Sequence, residues 1–190
     1  MNKRLFIFLF GLFVCVSGAS AQVVALKTDF LNWATASLNI EPEVRVGAKS
    51  TLALGVSYNP WTFKDNKKWR HLRVSPEYRY WLCRPFGGHF FGLHASYTRF
   101  NVGGVNVPFG MFPKLQTQRV QGNEWAVGLG YGYHWILGKH WSMEAEVGVG
   151  YSYADFRAYY SPKCGKWIED RATHRFVPTK LSLSIIYVIK

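Results

Sequence analysis

Charge is scarce in this 190-residue chain. Lys, Arg, Asp and Glu make up 18% of it, against roughly 25% in an ordinary soluble domain, and that excludes a solvated, disordered tail. There is no heptad pattern and no strict glycine period, so a coiled coil and a collagen are excluded as well. Cysteine is limited to Cys15, Cys83 and Cys164, and no Cys/His cluster has zinc-site spacing. Beyond residue 21 there is no apolar run approaching the roughly 20 residues of a spanning helix. Acids number 11 against 23 basic residues, a formal charge of +12.

What is abundant is aromatic residues, at 17%, and glycine, at 18 residues. The N-terminus comes first. Lys3 and Arg4 precede the apolar stretch Leu5 to Val16, and Ala19-Ser20-Ala21 follows as a small-residue cleavage site. Residues 1–21 thus read as a secretory signal peptide and residues 22–190 as one exported domain. Val14 before Cys15 does not suit a lipoprotein signal. Export argues against a nucleic-acid partner, which the basic charge would otherwise suggest.

Period-two alternation dominates the mature chain, and that is the strand signal. Trp125, Val127, Leu129, Tyr131, Tyr133 and Trp135 share one face, while Ala126, Gly128, Gly130, Gly132 and His134 share the other. A helix there would carry interior glycines at about 1 kcal/mol each. Eight such segments are expected, near 23–33, 37–47, 51–61, 71–82, 89–101, 123–137, 141–156 and 176–189, with missing ladder bonds at Pro42 and Pro76. Short turns at 47–50, 84–88 and 138–140 alternate with longer polar stretches, as in a transmembrane barrel. The expected fold is all-β: an eight-stranded antiparallel transmembrane up-and-down β-barrel.

The interior of eight strands is just wide enough for side chains to fill. The bulky face must therefore point outward, into lipid. A soluble antiparallel barrel with an apolar interior is the alternative. Strand parity then sends Lys27, Arg45, Arg73 and Arg79 into the lumen, together with Asp29, Glu41, Glu43, Glu77, Glu144 and Glu146 and the histidines His94 and His134. Buried charges must pair. The turn at Lys139 sets His134 opposite Glu144, and the turn after Arg84 sets His94 near Glu77 or Arg79. Lys64, Lys67, Lys68, Arg70, Lys163, Lys166 and Arg171 fall in external loops. There they can neutralise phosphates of lipopolysaccharide in a Gram-negative outer membrane. Cys83 and Cys164 fall at opposite ends, too far apart for a disulfide.

No metal or cofactor site emerges. His94-Ala95-Ser96 is similar to the His-x-Ser of lipid A deacylases, in which histidine activates serine; Leu93 and Tyr97 stand where that family has arginine and asparagine. A narrow channel is a further alternative.

Ala25-Leu26-Lys27-Thr28-Asp29-Phe30-Leu31, Leu38-Asn39-Ile40-Glu41-Pro42-Glu43 and Tyr58-Asn59-Pro60-Trp61 together resemble a Bacteroides-type domain family of unknown function. The resemblance implies a small outer-membrane barrel at the cell surface, associated with fimbrial or surface-assembly systems and other envelope proteins. It brings no catalytic residues. The expected function is therefore a non-enzymatic structural, adhesion or surface-assembly role.

Overall fold

The computed structural model describes residues 23–62, 68–104, 117–160 and 165–189. The expected signal peptide, Lys64, Lys67, Lys163 and Cys164 lie outside the described residues. Eight strands follow one another: β1 (Val24–Asp29), β2 (Leu38–Arg45), β3 (Ser50–Asn59), β4 (Lys68–Trp81), β5 (Gly88–Gly103), β6 (Gln118–Ile136), β7 (Trp141–Tyr160) and β8 (Trp167–Ile189). Every sequential pair is antiparallel, and β1 pairs with β8 from Val24↔Ile189 to Asp29↔Ser184, closing the sheet into a barrel. Closure joins the first and last strands over Ser184–Ile189, and β8 runs on past β1 toward the long-loop end.

The alternation fixes the two faces. Leu129 is 66% exposed on the outer face, while its neighbours Gly128 and Gly130 look inward. Both prolines interrupt pairing as expected. β2 and β3 pair up to Ile40↔Val56 and resume at Glu43↔Ala53, around Pro42. β4 and β5 pair up to Val74↔Tyr97 and resume at Glu77↔His94, around Pro76. Ser75 Oγ donates instead to the Ala95 carbonyl at 3.1 Å.

Three expectations need correcting. First, β1 stops at Asp29 and a five-residue helix, α1 (Phe30–Ala34), forms the first connection. No helix among the described residues is long and apolar enough to cross a membrane. Second, the stretch 157–175 is largely strand: β7 and β8 stay paired out to Tyr159↔Trp167. Strand length rises from 6 residues in β1 to 23 in β8, so the wall is low at β1–β3 and tall at β5–β8. Third, the inner face is not only small and charged. Trp81 and Phe90 are fully buried inside, their ring centroids 4.8 Å apart. Phe86 packs against Trp81 at 5.9 Å from a left-handed backbone with φ 61°. That conformation costs roughly 1–2 kcal/mol for a residue with a Cβ, and burial of the ring offsets it. These aromatics, with Ile186 and Val188, plug the short-turn end of the lumen.

Glycine makes room for the filling. Gly128 faces Gly150 across β6 and β7. A Cβ on Gly150 would lie 2.1 Å from the Val127 carbonyl oxygen and 2.5 Å from the Gly128 Cα, both fixed backbone. Gly150→Ala is expected to cost about 1–3 kcal/mol, the usual range for overpacking. Gly138→Ala, at a turn glycine with nothing within 4 Å of its Cβ position, is expected to cost much less. Urea titrations of the folded gel band measure both.

Candidate functional site

The centre of the lumen is a knot of charge. Arg79 on β4 fans out to five carboxylates: Nε donates to Glu77 at 2.9 Å, Nη1 to Glu43 at 3.1 Å and Glu144 at 2.8 Å, and Nη2 to Glu41 at 3.1 Å and Glu146 at 2.7 Å. Lys27 from β1 bridges Glu43 and, at 3.2 Å, Glu144. Lys180 from β8 bridges Glu77 and, at 3.1 Å, Glu146. The knot ties β1, β2, β4, β7 and β8 together across the ring. Strand parity puts these groups inside because each occupies the inward position of its strand.

His134 Nδ1 meets Glu144 Oε2 at 3.1 Å, in the register the turn at Lys139 dictates. The ring of His134 also lies edge-on to Trp81 at 5.6 Å, linking the charge to the aromatic plug. Arg79 stacks over Phe90 at 4.6 Å on the same boundary. His94 is the cross-strand partner of Glu77, but its Nε2 shares a hydrogen bond of 2.8 Å with Thr179 Oγ1. Arg73 stands above the knot and donates to the Thr179 carbonyl at 2.7 Å and to Ser96 Oγ at 3.4 Å. His94 and Ser96 both face inward and are buried, each committed to a different neighbour.

Two of the residues expected in the lumen stand apart from the knot, although Asp29 is buried on the inward face and lines the cavity above it. Asp29 turns to α1: it accepts from the amides of Leu31 and Asn32 at 3.2 and 3.3 Å, from Asn32 Nδ2 at 2.5 Å, and from the Leu183 amide at 2.9 Å. Arg45 is exposed at the short-turn rim, its Nε donating to the Gly47 carbonyl at 2.9 Å. It shares a hollow of about 210 Å³ there with Arg84 and Lys139. Parity gives a face but not a height, and both residues sit at strand ends.

Above the knot a cavity of about 420 Å³ opens toward the long-loop end, lined by Asn32, Asn39, Ser57, His71, Arg73 and Glu124 among others. Sequence reasoning missed Thr179. Gly148 pairs with Lys180 and Val149 with Pro178, so Thr179 is the extra residue of a β-bulge. It and Lys180 therefore both point inward, and the parity of β8 changes there. Among the described residues, no group of three His, Cys, Asp or Glu is arranged to hold a metal ion.

Of the external basic residues, Lys68 and Arg70 stand on β4 and Arg171 on β8, where it meets Glu169 at 2.7 Å; Lys166 immediately precedes β8. Cys83 is exposed at the short-turn end.

The outer face carries a graded pattern. Tyr97, Trp125, Tyr153 and His174 form one cross-strand row. Toward the short-turn end follow Val127, Leu129 and Val149, and then Tyr131, Tyr133, Trp135, Trp141 and Tyr187. Tyrosine hydroxyls at the two margins point away from the apolar zone. Tyr97 donates to Asn123 at 2.9 Å and Tyr151 meets His174 at 2.5 Å, both toward the long-loop end. Tyr131 meets His89 at 2.6 Å and Tyr78 meets Ser50 at 2.7 Å, both toward the short-turn end.

Among known families, the model of one described as a protein of unknown function (DUF3575) matches residues 5–189. No curated protein and no solved structure gives a significant match.

Proposed function

The chain belongs to the DUF3575 family of proteins of unknown function, and from that premise we propose that it is a sealed outer-membrane barrel with a non-enzymatic structural, adhesion or surface-assembly role. The narrower kinship with Bacteroides-type outer-membrane barrels is part of this proposal. The observation that carries the membrane reading is the outer face with its oppositely directed tyrosines. Amphipathic rings sit at membrane interfaces with the apolar body toward lipid and the hydroxyl toward water. On β6, Trp125 and Trp135 are ten residues apart. Ten steps of about 3.3 Å, tilted by about 40°, rise roughly 25 Å, which is the height of the apolar band of such barrels.

The lumen supports a non-conducting reading. The charge knot fills its centre and the Trp81–Phe86–Phe90 plug closes one end. The non-enzymatic reading draws support from His94 and Ser96. Acyl transfer by serine needs a histidine bonded to it, and here His94 bonds Thr179 while Ser96 accepts from Arg73. Both also face away from the lipid. The tall β5–β8 wall beyond the aromatic row offers the surface on which envelope or appendage proteins would assemble.

Two measurements test the reading. In planar bilayers the folded protein is expected to give no discrete currents, and regular single-channel steps would overturn the sealed lumen. Lipid A from cells carrying Ser96→Ala is expected to have the same mass spectrum as lipid A from wild-type cells. A change in acyl-chain number would instead establish the deacylase reading.

A further inference from the structure

The outer face of β4–β6 holds two arginines, Arg70 and Arg99, that form no ion pair among the described residues, just beyond the aromatic row. Arg99 is the next outward residue after Tyr97 on β5, about 7 Å further along the strand. Cross-strand register sets Leu72, Arg99 and Asn123 in one row, Arg70, Asn101 and Gln121 in the next, and Lys68, Gly103 and Arg119 in a third. Arg70 and Arg99 are diagonal neighbours, which places their Cα atoms about 7–8 Å apart. Both side chains are exposed, and neither has an ion pair among the described residues. Arg119 lies over the Tyr159 ring at 4.8 Å.

The same rows on β7 and β8 are built differently. Asp155 and Asp170 stand there, and Arg157 approaches Asp170 at 3.6 Å. On β4–β6 the outward neighbours are neutral: Asn101, Gln121 and Asn123. Adjacent like charges in a sheet repel, and an anion bound between them relieves that repulsion. Guanidinium forks suit phosphate oxygens, which they can grip bidentately. The height matters as much as the charge. A phosphate held by Arg70 and Arg99 sits immediately above Tyr97 and Trp125, whose rings are 4.5 Å apart, and acyl chains attached to that phosphate run down over Val127 and Leu129.

We propose that this face, with Arg70 and Arg99 at its centre and Arg119 beside them, docks the phosphorylated headgroup of an anionic glycolipid in the surrounding outer leaflet. The inference rests on the membrane reading above. It moves phosphate recognition from the loops, where sequence alone puts it, onto the rigid wall, where neighbouring strands hold both arginines in register.

The test uses the full mature chain, folded in a neutral detergent and titrated with bisphosphorylated lipid A by native mass spectrometry. The wild type is expected to bind it, and Arg70→Gln/Arg99→Gln to bind at least about tenfold more weakly, because two charge-assisted contacts are lost. Arg157→Gln, which removes the ion pair with Asp170 on β7 and β8, is expected to bind like the wild type. Dephosphorylated lipid A is expected to bind weakly to all three proteins, and millimolar inorganic phosphate is expected not to compete. Equal binding by the double variant overturns the proposal. So does equal binding of dephosphorylated lipid, which would mean contact with the apolar band alone, or full competition by free phosphate, which would mean a simple ion site. Should the double variant lack the folded gel band, Arg99→Gln carries the same comparison. Failure of the membrane reading is read separately, as a wild type with no heat-modifiable mobility.

Discussion

Arg79→Met is expected to destabilise the folded protein by about 3–5 kcal/mol, the cost of removing one partner from a buried ionic cluster. The guanidinium touches five carboxylates at once, from Glu41, Glu43, Glu77, Glu144 and Glu146. Without it those five groups keep only Lys27 and Lys180 as cationic partners, in a largely buried space that the Trp81 plug closes at the short-turn end. The closed ladder fixes the three strands that carry the acids, so the backbone cannot move apart to relieve the repulsion. Arg79→Lys is expected to fall between wild type and Arg79→Met. It restores the charge, but a single ammonium cannot reproduce a fork that reaches Glu43 and Glu146 together. Glu144→Gln added to Arg79→Met is expected to recover part of the loss, because it removes one of the uncompensated charges. Urea titration in detergent, read by the folded and unfolded gel bands, gives the ordering. A methionine variant as stable as wild type would mean that the knot does not hold the ring together.

Trp81→Ala is expected to cost a similar amount, about 3–5 kcal/mol, the range for deleting a buried large aromatic. Trp81 is fully buried, donates from Nε1 to Thr51 Oγ1 at 2.9 Å, and touches Phe86, Phe90 and His134. Its loss leaves a void at the short-turn end and removes the partner of a buried hydroxyl. Trp81→Phe is expected to lose less, because a ring remains against Phe90. The informative comparison is Trp125→Ala. Trp125 is 59% exposed on the outer face, where surrounding apolar molecules can fill the space, so its removal is expected to cost far less than that of Trp81. Equal costs at the two positions would contradict the assignment of faces.

Much of this was legible in the alternation. The glycine face of β6, the opposition of His134 and Glu144 and the interruptions at Pro42 and Pro76 all follow from a period of two and the geometry of tight turns. The inner aromatics carried the same signal: Trp81 shares the parity of Glu77 and Arg79, and Phe90 that of His94. Bulk alone suggested that an eight-stranded interior could not hold them, yet Gly132 clears the space, since a Cβ there would lie 2.3 Å from the Phe90 ring. The length of β8 was hidden for a different reason. From Trp167 to Arg175 both faces meet solvent above the lumen, so there is no apolar alternation to read. The bulge at Thr179 was hidden as well, because one inserted residue changes the parity without altering composition. Asp29 and Arg45 show the remaining gap, since parity assigns a side of the wall and not a level along it.

The central claim is that the outer band between the two aromatic rows lies in lipid. Nitroxide labels along β6, in a protein with Cys83 and Cys164 replaced by alanine and folded into vesicles, test it most directly. At odd positions from Trp125 to Trp135, the ratio of oxygen to water-soluble nickel-chelate accessibility is expected to peak near Leu129 and fall toward both ends. The inward positions between them stay unlabelled, because a Cβ at Gly128, Gly130 or Gly132 would already lie 2.3–2.5 Å from a neighbouring side chain. Odd positions open to the nickel chelate across the whole stretch would contradict the claim.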